Sequence, residues 1–162
     1  MIRFALVICC LIRFTATYSQ CKIKSEVQQN GLVFKHTEKE LLYTTKSYTL
    51  YSAVFHDGQR YYLKIIISPM KSKKVTKEQF TLELKNGKKH KLDFYDVYEV
   101  KKDSAIDVLF KIKTEVLDDL TKSDVSAIAI DIDSGMKRYK LVNHHALIRR
   151  QLDCMLQELA RK

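Results

Sequence analysis

All four glycines of the chain follow a turn-forming residue, in Asn30-Gly31, Asp57-Gly58, Asn86-Gly87 and Ser134-Gly135. Three of these pairs stand between runs in which apolar and polar side chains alternate. Alternation with period two is the mark of a half-buried strand, and a short Gly-containing turn between two such runs folds them back on each other. The chain is therefore constrained to antiparallel β-structure joined by local connections. A single Pro in 162 residues leaves the strands almost uninterrupted.

Each turn predicts a register. With Asp57-Gly58 as a two-residue turn, Val54 opposes Tyr61, Ser52 opposes Leu63 and Leu50 opposes Ile65. One face is then apolar apart from Ser52, and the outward face carries Tyr51, Tyr62 and Lys64. With Ser134-Gly135 as a two-residue turn, Ile132 opposes Lys137 and Ile130 opposes Tyr139. The same geometry at Asn86-Gly87 sets Leu84, Leu82 and Phe80 against Lys89, Lys91 and Asp93. A three-residue loop 85–87 restores parity there, with Phe80 opposite Leu92 and Gly87 in the left-handed position of a bulge.

Residues 105–113 alternate with Ile106, Val108, Phe110 and Ile112 on one side. Leu32-Val33-Phe34 and Leu41-Leu42-Tyr43 read as shorter strands. Thr114 is expected to cap a short helix over 115–122 with Leu117 and Leu120 inward. Asn143 is expected to cap the last helix, over 144–160, whose stripe is Ile148, Leu152, Met155, Leu156 and Leu159. The expected fold is mainly β (α+β): an antiparallel hairpin meander, sandwich- or barrel-like, closed by one C-terminal amphipathic helix. The layout resembles, generically, small exported bacterial domains with a β-meander and a closing helix.

The N-terminus reads differently. Met1-Ile2-Arg3 is followed by nine apolar residues, Phe4 to Ile12, and then by Thr17-Tyr18-Ser19. The apolar run is shorter than the roughly 20 residues that span a bilayer. A basic start, a short apolar core and small residues before a cleavage point describe a secretory signal, so residues 1–19 are expected to be removed, leaving Gln20 first. One globular domain, 20–162, remains, strand-rich over 22–142, and not membrane-spanning. Loss of Arg3 and Arg13 takes the formal charge from +10 to +8. Export to the periplasm or the extracellular space follows, with lipid anchoring through Cys21 as the lesser alternative, since Gln20 fits a lipidation site badly. Cys21 and Cys154 are the two cysteines left, and an oxidising compartment favours a disulfide between them.

Catalytic patterns are missing. The sequence has no Gly-x-Ser-x-Gly, no Gly-rich phosphate loop and no His-Glu-x-x-His. His36, His56, His90, His144 and His145 have no ligand-like spacing, and Asp131-Ile132-Asp133-Ser134-Gly135 lacks the acids of a calcium loop. No cofactor or metal is expected. The excess of lysine is the anomalous quantity: Lys71, Lys73, Lys74 and Lys77 crowd one stretch, and Lys85, Lys88, Lys89 and Lys91 surround one hairpin. Lysines on exposed strands commonly guard sheet edges and keep a protein soluble. The alternative is contact with an anionic surface or an envelope protein through Lys73, Lys74, Lys88 and Lys89, together with Tyr51, Tyr62 and Lys64. Nucleic acid is not an expected partner, because no nucleic-acid module is present. The expected function is an exported, non-catalytic binding or interaction domain. A small envelope hydrolase without a recognisable motif and an immunity- or inhibitor-like protein are the alternatives.

Overall fold

The computed structural model describes residues 22–27, 33–69, 75–100, 104–132 and 135–161. Ten strands and two helices follow one another as β1 (Ile23–Val27), β2 (Val33–Thr37), β3 (Glu40–Thr44), β4 (Thr49–His56), β5 (Tyr61–Ser68), β6 (Val75–Leu84), β7 (Lys89–Val100), β8 (Ala105–Ile112), α1 (Thr114–Lys122), β9 (Val125–Ile132), β10 (Gly135–Lys140) and α2 (Leu147–Ala160). They form one antiparallel sheet in the order β1-β2-β4-β5-β8-β7-β6-β9-β10, with β3 also paired to β4. The mainly β reading with a closing C-terminal helix holds.

The sheet curls over its main core. Its pivot is β7, which pairs with β6 through Lys89–Leu92 and with β8 from Asp93 onward. The two halves meet where Phe80 of β6 stacks on Phe110 of β8, with ring centres 4.6 Å apart. The far ends approach as well. Tyr139 of β10 lies 5.0 Å from Tyr43 of β3, and its hydroxyl hydrogen-bonds that of Tyr48. Leu50, Val54, Leu63, Ile65, Val108, Leu82 and Ile128 line the interior, and Leu147, Ile148, Leu152 and Met155 of α2 join them there. A buried aliphatic side chain of this size contributes about 1.5–3 kcal/mol, so this apolar interior dominates the stability.

The Asn86-Gly87 hairpin has the expected register, Phe80 opposite Leu92 and Leu82 opposite His90, and Gly87 has φ +87°. The other two hairpins are each shifted by two residues from expectation. Val54 faces Leu63 and Ser52 faces Ile65, because the turn takes four residues. Asp57 Oδ1 accepts from the amides of Gln59 at 2.9 Å and Arg60 at 2.7 Å, which closes that longer loop. In the last hairpin Gly135 belongs to the strand, opposite Ile132, so Lys137 faces Ile130 and Tyr139 faces Ile128. A shift of two leaves every side chain on its face, which is why the predicted faces survive.

The helix starts also differ. Thr114 is inside α1, Lys113 takes the cap position without a side-chain bond, and Val116 is buried with Leu120 while Leu117 is only partly so. α2 starts at Leu147, not after Asn143. The His145 carbonyl accepts from Val125 N–H at 3.0 Å, which holds 143–146 against β9 as a turn. Cys154 is half-buried on α2 and disulfide-bonded. Cys9, Cys10 and Cys21 lie outside the described residues, as does the 1–19 segment.

Ser52, the polar exception on the inner face of β4, has a purpose. One edge of β4 is shared end to end by two strands: β2 pairs at His56 and Phe55, β3 at Ser52 to Thr49. Between them Thr37 Oγ1 accepts from Val54 N–H at 3.0 Å. Gln151 of α2, only 1% exposed, fills the rest of the junction. Its amide donates to the carbonyls of Ser52 at 3.0 Å and Glu38 at 3.4 Å, and its Oε1 accepts from the Ser52 hydroxyl at 3.0 Å. Gln151→Leu strands these buried groups and should lower stability by about 1–3 kcal/mol. Adding Ser52→Ala should recover part of that loss, so the two changes are non-additive in urea unfolding; strict additivity would show that the pair is not coupled.

Candidate functional site

The outward face of β1, β2, β4, β5 and β8 carries a cluster of aromatic and charged side chains. Register alone puts Lys24, His36, Phe55, Tyr62 and Lys111 in one row across five strands. Ala53, Lys64 and Leu109 form the next row, and Tyr51, Ile66 and Asp107 the one after it. Phe34, Ala53, Phe55, Tyr62 and Leu109 are buried together as a second, smaller apolar cluster.

Aromatic packing holds this cluster. The His36 ring lies flat on Phe55, 4.7 Å between centres and 11° from parallel. Phe34 tilts against Phe55 and Tyr62. A β-bulge between Phe94 and Asp96 adds Tyr95 to β7, and its ring reaches 4.7 Å from that of Tyr62; bulges re-aim side chains in this way. Lys64 places its ammonium 5.0 Å above Phe55 and 2.5 Å from Asp107 Oδ2. Lys39 stands 5.5 Å over the Tyr51 ring, and Lys24 pairs with Glu38 at 3.0 Å. That pairing holds the Glu38 carboxyl below its ordinary value.

Between these groups lies a cleft of about 390 Å³, floored by Ala53, Phe55 and Ile66 and rimmed by Lys24, Glu26, Glu38, Lys39 and Lys64. His36 forms one wall. Its Nδ1 lies 2.9 Å from the Thr37 carbonyl. A carbonyl only accepts, so Nδ1 carries the proton and a neutral ring has its lone pair on Nε2. The cleft therefore offers an apolar floor, one fixed acceptor and a ring of ammonium and carboxylate groups.

Tyr51 and Lys64 are half-buried on this face, as expected. Tyr62 is on the face but fully buried, so it is no contact residue. Its hydroxyl donates to Asp57 Oδ2 at 2.7 Å; burial and that carboxylate push its pKa up. Lys73 and Lys74 lie outside the described residues. Lys88 and Lys89 are exposed at the β6–β7 tip, but each meets a carboxylate: Lys88 pairs with Asp119 at 2.6 Å and Lys89 with Glu83 at 3.5 Å. Lys85 pairs with Asp124 at 3.2 Å. The tip is thus largely neutralised by its own neighbours. His36, Phe55 and Phe34 were missed. The alternation of Val33-Phe34-Lys35-His36-Thr37 puts Phe34 and His36 on one face, but nothing in the sequence aligns that face with Phe55.

The resolved carboxylate shifts away from the cleft have structural causes. Arg138 hydrogen-bonds Glu83 and, against the opposing effect of burial, lowers its pKa to about 2. Lys88 holds Asp119 down, and Lys85 and Arg149 outweigh burial at Asp124. Burial raises Asp153. Among the described residues no three His, Cys, Asp or Glu side chains converge as a metal site would require. No family model, no curated protein and no solved structure matches the chain.

A carboxylate whose pKa is depressed by folding stabilises the protein above its ordinary pKa and loses that contribution as pH falls through the folded value. Stability should therefore decline from about pH 4.5 toward about pH 2 through Glu83, Asp119 and Asp124. Glu83→Gln should flatten that decline by about 1 kcal/mol, a figure reduced for solvent screening of its partners. Thermal unfolding across pH 2–6 measures it; an unchanged slope in the variant would show that Glu83 contributes nothing to the decline.

Proposed function

We propose that the protein is an exported, non-catalytic binding domain that takes its ligand on the outward sheet face, in the cleft beside His36 and Lys64. The cleft carries this reading: at about 390 Å³ it falls within the size range of ligand sites and combines an apolar floor with few, fixed polar groups. A group with a hydrogen-bond donor for His36 Nε2 and an anionic or carbonyl oxygen for Lys39 and Lys24 suits it. An envelope component or an exported protein supplies such a group. Glu38 at the rim is held by Lys24, and Glu83, Asp119 and Asp124 are held by ion pairs outside the cleft, so these lowered acids support a binding role over catalysis.

Export belongs to the same proposal, with Gln20 as the first mature residue. So does the Cys21–Cys154 bridge. Ile23, two residues after Cys21, packs on the main core, and α2 lies against β1 and β2. Cys154 is disulfide-bonded on that helix. Among the described residues no helix is long and apolar enough to cross a membrane.

Capture from the native envelope fraction tests the site. Wild-type protein should retain a partner that His36→Ala/Lys39→Glu loses by at least about tenfold, or ~1.4 kcal/mol of binding. Lys88→Gln/Lys89→Gln should retain it. Equal capture by the cleft variant, with both proteins folded, would overturn the assignment of the cleft.

A further inference from the structure

Among the described residues the edge strand β10 is paired on one side only. Leu141 N–H donates to the Ser126 carbonyl at 2.8 Å, in the register that sets Tyr139 opposite Ile128 and Lys137 opposite Ile130. Hydrogen bonds in an antiparallel ladder alternate along the strand. Gly135, Lys137, Tyr139 and Leu141 therefore turn their main-chain groups toward β9. Met136, Arg138 and Lys140 turn N–H and C=O away from it. Among the described residues β9 is the only strand paired with β10, so those groups form an open edge. All three side chains are exposed, Met136 at 46%.

We propose that β10 docks an extended, acidic segment of a partner protein, which adds to the sheet as a further strand. Strand addition of this kind draws affinity from main-chain bonds and specificity from the alternating side chains. The charges choose the occupant. Neither Lys140 nor Lys137 has a carboxylate partner among the described residues, so these two make the edge basic, whereas the Arg138 charge is matched by Glu83. Arg138 reaches Glu83 across the small Ala127 and Ala129 of β9, which fixes its guanidinium on the sheet face. A second copy of this chain fits poorly. Antiparallel pairing about Arg138 sets Arg138 opposite Arg138 and Met136 opposite Lys140, and like charges directly opposite destabilise a sheet. Lysines on an edge normally repel further strands; an acidic strand turns that repulsion into attraction. The opposite edge, β1, alternates Lys24 and Glu26 and shows no such preference. This surface is separate from the cleft, and neither proposal requires the other.

The test uses the intact protein, labelled with ¹⁵N, and a defined probe: a capped peptide alternating valine and glutamate. Amide exchange of Met136, Arg138 and Lys140 should slow by at least about tenfold on binding, the three behaving together. Binding should weaken as salt rises, since screening acts over roughly 8–10 Å at ordinary ionic strength. A valine–lysine peptide should give no protection. Lys140→Pro removes an outward N–H and no bond to β9, a place where a strand tolerates proline, and should abolish binding. Should that variant fail to fold, Lys140→Glu should weaken the acidic peptide by at least about tenfold. Equal protection by the basic peptide, no protection by the acidic one, or protection by self-association alone would overturn the proposal.

Discussion

The amide of Gln151 stands at the point on which the sheet's continuity depends. Among the described residues β4 is the only strand with two partners on one edge, β2 and β3 in succession. Such a splice interrupts the ladder and leaves backbone groups in the interior without strand partners. Thr37 takes Val54 N–H, and Gln151 takes the carbonyls of Ser52 and Glu38. An unsatisfied buried group costs about 1–3 kcal/mol, so a junction with several of them open would offset much of what a marginal domain retains. Because Gln151 belongs to α2, the helix closes the core and completes the sheet at once. The apolar stripe of Ile148, Leu152 and Met155 sets the depth of docking, and the amide sets its position along β4.

From that junction the two candidate surfaces follow. The splice ends β2 beside Thr37 and puts Glu38 and Lys39 on the rim of the cleft, directly above the row of His36 and Phe55. The curl around β7 carries β6, β9 and β10 over the core, and among the described residues leaves β10 as the last strand of the path with its outer edge open. The cleft is a set of fixed side chains on a rigid face. The β10 edge is a set of main-chain groups, with charge deciding what approaches it. The two would discriminate partners by different chemistry.

Much of the fold is legible in local sequence, because turn residues and alternation act over short distances. The Asn86-Gly87 register is read correctly since only a three-residue loop pairs Phe80 with Leu92. The other two registers miss by two because side-chain hydrogen bonds of Asp57 lengthen one turn and Gly135 extends a strand in the other. The faces are still right, since parity alone decides them. The sheet order is not legible: β8 beside β5 and β9 beside β6 are long-range pairings without a local signal. For the same reason only part of the candidate site is legible. Tyr51, Tyr62 and Lys64 lie on strands whose turn can be read, whereas His36, Lys24 and Tyr95 reach the face through β1, β2 and a bulge in β7. Tyr62 shows the limit of parity, which gives the face a side chain points to but not what lies over it.

The curled sheet and α2 form one cooperative core joined through Gln151. Native-state hydrogen exchange tests it most directly. Amides of β4, β5 and β8 should open with the same free energy as those of β6 and β9, at the global unfolding value, and in Gln151→Leu all five should fall together. Opening of β6 and β9 at a clearly lower free energy than β4 and β5, or an effect of Gln151→Leu confined to the end of α2, would contradict it.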